Sequence, residues 1–132
     1  MVGGEDDVDL APTFCRIAGT EPPAWLQGRP LPAGPDDPAP ERVLTEWDSE
    51  LFGVDVHCRT VTRDGWVCTT YLPGTSHDGT EGELYDLADD PLQQVNRWDD
   101  PACRSHRSDL LADLWDSQPA PFPGHLELEA PV

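Results

Sequence analysis

Near the front of the chain apolar residues recur with a helical period. Leu10, Phe14, Ile17 and Ala18 fall at i, i+4, i+7 and i+8, so the spacing predicts a helix over residues 9–18 with one apolar face. Asp9 can cap it, Pro12 fits its first turn, and Gly19 stands where a helix ends in a left-handed residue. Seven prolines crowd into residues 22–40, together with Gly28, Gly34 and Asp36-Asp37, which predicts an extended, irregular connector. Trp25 and Leu26 within it are expected to pin it to a packed surface.

Beyond the connector the pattern shortens to a period of two. Arg42 to Trp47 alternates Val43, Thr45 and Trp47 against Leu44 and Glu46, and Val54 to Leu72 is rich in valine, threonine and aromatics, so both predict strands. Asp64-Gly65 interrupts the second stretch as a type I′ hairpin turn, which needs positive φ at both central residues. That turn sets Arg63 against Trp66, Val61 against Cys68 and Cys58 against Tyr71, and it points Cys58 and Cys68 to opposite faces. Residues 83–87 predict a fourth strand. Asp100 then caps a closing helix with Pro101 in its first position and Leu110, Leu111, Leu114 and Trp115 on one face. The expected fold class is α+β: a small antiparallel sheet of about four strands packed against a C-terminal helix.

Composition narrows the function classes. Eight arginines, no lysine and 26 acidic residues give a formal charge of −18, which repels nucleic acid and anionic lipid and excludes lysine chemistry from this chain. With no apolar run of about 18 residues and an acidic start, neither a spanning helix nor a signal peptide is expected, and the chain reads as cytoplasmic. Cys15, Cys58, Cys68 and Cys103 lack metal-ligand spacing and read as free thiols.

Two ordered motifs carry a resemblance. Val8-Asp9-Leu10-Ala11-Pro12-Thr13, followed by Ala18-Gly19 and Gln27-Gly28-Arg29-Pro30-Leu31, and later Gly82-Glu83-Leu84-Tyr85-Asp86-Leu87 with Asp90-Pro91, Asn96 and Trp98, resemble the closing passages of arylsulfatase-like sulfatases of the alkaline-phosphatase superfamily. The resemblance covers residues 8–115. By its proline-rich, acidic composition 117–132 reads as a disordered tail, and the resemblance implies that residues 1–21 end a truncated catalytic α/β domain, 22–40 connect and 41–116 form the C-terminal α+β subdomain. It further implies that the nucleophile, a formylglycine made from cysteine or serine, and the divalent metal, usually calcium held by aspartates and Asn or Gln, belong to the catalytic domain upstream. That domain is the expected partner, an export signal could lie with it, and the chain is expected not to hydrolyse sulfate esters alone. The other reading is a free-standing acidic interaction module derived from a sulfatase.

Three further constellations bear on function. Cys103-Arg104-Ser105-His106-Arg107 keeps the C-x-x-x-R spacing of the formylglycine motif but has serine where proline or alanine is required, and is read as coincidence. His57 and Arg59 alternate on one strand, so both project from one face; they are candidate substrate-lining residues, or else surface residues on a sheet whose other face is core. His77, in the glycine-rich loop 73–82, is the third candidate. The acidic pairs, including Asp89-Asp90 and Asp99-Asp100, lack EF-hand spacing and read as turns, caps and solubility, so no catalytic or metal-binding residue is assigned to this chain.

Overall fold

A computed structural model of the chain describes residues 7–26, 28–38 and 40–117. The elements run α1 (Asp7–Ala18), β1 (Arg42–Leu51), β2 (Val54–Arg63), β3 (Trp66–Tyr71), β4 (Gly82–Asp86), a 3₁₀ turn (Pro101–Cys103) and α2 (Arg104–Asp116). The four strands form one antiparallel sheet in the order β1-β2-β3-β4, with α2 against one face, an α+β fold. The expected disorder of the tail lies almost wholly outside the described residues.

Alternation along the strands places one apolar residue of each in register. Leu44 pairs with Val61, Val61 with Cys68 and Cys68 with Leu84, a single row across the whole sheet. All four are buried, and Leu110 and Leu114 of α2, with Cys103, complete the same cluster. The hairpin register agrees with the turn chemistry: Arg63 faces Trp66 and Cys58 faces Tyr71, around Asp64 and Gly65 at φ +53° and +78°. Leu111 packs beside the cluster, but Trp115 is exposed, because it lies at the far edge of the helical stripe set by Leu110 and Leu114.

Polar groups close the same face. Arg42 and Arg63 stand opposite each other on β1 and β2, a like-charge pair that would repel. Asp113 of α2 accepts from both, at 2.9 and 2.8 Å, and Asp109 adds a second partner for Arg63, so the helix is fixed over the strand ends. Asp100 caps the 3₁₀ turn, its side chain accepting from the Ala102 N–H at 2.9 Å, with Pro101 just inside as expected.

The outer edge of β4 is sealed by a side chain. Asn96 Oδ1 accepts from the Leu84 N–H at 3.0 Å, its amide donates to Gly82 O at 3.0 Å, and the Arg97 N–H donates to Leu84 O at 2.8 Å. Trp98 then lies directly on Gly82, where an added Cβ would sit 2.3 Å from the ring.

At the front of the chain, α1 ends as its sequence predicts. Gly19 has φ +69°, the Gly19 N–H bonds Arg16 O and the Thr20 N–H bonds Cys15 O, the paired bonds of a Schellman cap. The surroundings of the helix differ from expectation. The helix already includes Asp7, so Pro12 lies inside it rather than in its first turn. Asp9 is 2% exposed and is no helix cap: its carboxylate accepts from the Arg29 N–H at 2.8 Å. Thr13 donates to Asp9 O and accepts from the Leu31 N–H at 2.8 Å, so the connector is fastened to α1 by polar bonds. The sheet does not cover the apolar stripe: Phe14 and Ile17 are 63% and 75% exposed, and α1 makes at most marginal contact with any other element. Trp25 is exposed as well, since the connector is held by the backbone bonds of residues 29 and 31 rather than by its indole.

Gly82→Ala should lower stability by about 1–3 kcal/mol, because backbone pins one side of the contact and the Trp98 ring must leave its place. Urea denaturation of the variant measures it; an unchanged midpoint would mean that the Trp98 contact does not hold the edge.

Candidate functional site

The three sequence candidates lie on two sides of the sheet. His57 and Arg59 share the face of Val61, the α2 face, so the expectation that the core would lie on the opposite side is corrected. The reason is strand length: β1 and β2 run on past the rows that α2 covers, leaving the same face open at its far end.

That end is a network of polar side chains with an excess of carboxylates. Arg59 forms a bidentate pair with Asp48, Nη1 to Oδ1 and Nη2 to Oδ2 both at 3.0 Å, and its Nε lies 3.5 Å from Glu46. His57 Nδ1 is 2.7 Å from Asp48 Oδ1, and its Nε2 is 3.6 Å from Asp55. The Arg59 hydrogen bond holds the Asp48 carboxyl below the usual carboxylate range; burial opposes it, and the His57 hydrogen bond helps. One guanidinium and one imidazole therefore face three carboxylates. The geometry commits both side chains to internal partners.

On the face without a helix, His77 comes to lie against Tyr71. The rings are parallel, 4.0 Å between centroids with 4° between planes. The Tyr71 hydroxyl donates to Glu83 Oε1 at 2.9 Å, and the Tyr85 hydroxyl donates to the other oxygen at 3.3 Å. Glu83 sits opposite Thr69, with Tyr71 as its diagonal neighbour on β3 and Tyr85 two residues on along its own strand. Burial first, and then the Glu83 carboxylate, push the Tyr71 hydroxyl up to about 12, so it remains a donor at neutral pH. His77 Nδ1 is buried without a hydrogen-bond partner in the described residues. The glutamate was not singled out from sequence. Only the register of β4, which no turn rule supplied, brings it between two tyrosines.

The remaining candidates resolve locally. Cys103 is 8% exposed and belongs to the core cluster, while Arg107 donates to Trp98 O and lies 4.9 Å over its ring. The two fixed positions of the near-miss motif are thus used in packing. Asp90 turns the chain by accepting from the Val95 N–H at 2.8 Å, and Asp100 caps the 3₁₀ turn, as the reading of those pairs required. Cys58 and Cys68 are free thiols, both pushed up chiefly by burial, Cys68 to about 11. Among the described residues, no three His, Cys, Asp or Glu side chains gather as metal ligands, and no helix is long and apolar enough to cross a membrane.

Raised folded-state pKa values set the alkaline limit of stability. The Cys68 contribution is complete below about pH 9 and lost towards 11; that of Tyr71 is complete below about pH 10 and lost towards 12. Thermal unfolding followed from pH 8 to 11.5 should fall in wild type, and Tyr71→Phe should flatten the part above pH 10 while leaving the part between 9 and 10. Identical profiles would contradict the Tyr71 assignment.

No protein-family model matches the chain, and no curated relative does. Solved structures do. A candidate sulfatase from Bacteroides thetaiotaomicron VPI-5482 matches over 82% of this chain at 31% identity with a TM-score of 0.66. A 2-O GAG sulfatase matches over the same share, also at 31%, with 0.64. BT4656, solved in complex with its substrate D-glucosamine-2-N,6-O-disulfate, is 21% identical over 83% with a TM-score of 0.61, a likeness of fold. In each case the matched region is 23% of the other protein, so this chain spans about a quarter of the length of its solved relatives. In motif order and in backbone alike, the chain corresponds to the C-terminal portion of a sulfatase.

Proposed function

We propose that the chain serves as the C-terminal subdomain of a sulfatase of the alkaline-phosphatase superfamily, packing on a catalytic domain and forming one wall of its substrate cleft without performing the hydrolysis itself. The observation that carries this reading is α1. Its Leu10, Phe14 and Ile17 stripe is exposed, and its polar bonds run to the connector and not to the sheet. An amphipathic helix with its apolar face in water lacks the packing that supplies most helical stability in proteins. A catalytic domain laid against that stripe would supply it. The formylglycine and the divalent metal would reside on that domain and provide the nucleophile and charge stabilisation.

Of the three candidate lining residues, His77 fits the role better than the other two. It is stacked on Tyr71 beside a carboxylate, and its Nδ1 has no hydrogen-bond partner among the described residues, whereas His57 and Arg59 already bond to Asp48. The rival reading, a free-standing acidic interaction module, draws on the closed core beneath α2, which does not include α1.

Purified alone, with calcium and a formylglycine-generating enzyme, the chain should show no turnover of aryl sulfates or sulfated sugars. Turnover that tracks the protein through purification and disappears in Cys103→Ala would overturn the reading.

A further inference from the structure

The two hairpin turns of the sheet share one conformation and differ in one residue. Asp64-Gly65 has φ +53° and +78°; Phe52-Gly53 has φ +55° and +78°. Aspartate and asparagine tolerate the first position of such a turn, while a bulky side chain there is a genuine outlier. Phe52 gains nothing inside the fold in return, for it is 97% exposed. Trp47, Leu51 and Val54, 61%, 62% and 48% exposed, adjoin it on the helix-free face of the same hairpin. The opposite face of that hairpin carries Glu46, Asp48, Glu50 and Asp55, three of them partnered by Arg59 and His57, so the face keeps an excess of negative charge.

A residue kept against its local preference, where nothing internal rewards it, points outward to a function. We propose that Phe52 is the anchor of a docking site, inserted into an apolar socket rimmed by basic side chains on the catalytic portion of a sulfatase. This rests on the subdomain reading above. The occupant follows from two observations. First, the solved relatives carry this fold within chains of which it is only 23%, so in them most of the protein lies outside it. Second, the hairpin is apolar on one side and acidic on the other, which a basic-rimmed socket complements, whereas a second copy of a chain of charge −18 would repel it. Exposed aromatic side chains that enter a partner's pocket are the usual carriers of binding energy.

The test places the photo-crosslinker p-benzoylphenylalanine at position 52 of the full chain, expressed in the cells it comes from, with position 112 on the outer side of α2 as control. Peptide mapping should find position 52 joined to a polypeptide carrying the formylglycine motif, with cysteine or serine first and proline or alanine third, at a yield at least about tenfold above position 112. A cross-link to such a polypeptide from position 112 but not from 52 would overturn the docking site and leave the subdomain reading standing. Capture of only unrelated proteins, a membrane lipid or a second copy would overturn both. In parallel, Phe52→Asn should raise the melting temperature of the isolated chain by a few degrees; a lowered one would show that Phe52 is held by the fold itself and would sink the proposal.

Discussion

The structure hangs on one row of side chains. Leu44, Val61, Cys68 and Leu84 come from four consecutive strands, lie in register, and are covered by Leu110 and Leu114. Burying an aliphatic side chain contributes about 1.5–3 kcal/mol, so these few residues supply a large part of the apolar gain available to so small a core. The row also fixes direction. A slip of one residue in any strand would turn its member to the helix-free face, so the register that aligns the row equally sets Arg42 and Arg63 under Asp113 and places Glu83 between Tyr71 and Tyr85.

The motifs that make the chain look like a sulfatase act as scaffold in this portion of the molecule. Asp9 and Thr13 hold the connector, with Arg29 and Leu31 offering the backbone groups they bind. Asn96 substitutes for a fifth strand at the edge of β4, Gly82 leaves room for Trp98, and Asp90 closes the turn between them. Each of these positions satisfies a backbone group or a steric demand. That is why these positions carry the resemblance.

Legibility followed the locality of the cause. The Asp64-Gly65 turn, the Gly19 cap and the Asp100 cap each depend on neighbours in sequence, and all three stand where local chemistry puts them. The second turn at Phe52-Gly53 was invisible, because phenylalanine is no signal for positive φ, and β1 therefore runs four residues longer than its alternation suggested. Questions of which surface covers which were harder. Trp25 and Trp115 looked internal from their apolarity, and the His57 and Arg59 face could not be told from its opposite, since alternation gives two faces without saying which one a helix will choose.

Sheet and α2 close their own core, whereas among the described residues α1 is fastened to the connector and leaves Phe14 and Ile17 exposed. Native-state hydrogen exchange on the chain alone tests this most directly. Amides of the β2–β3 hairpin should be protected about a hundredfold or more beyond those of residues 13–18. Equal and strong protection of both would mean that the chain covers α1 itself, and would contradict the account.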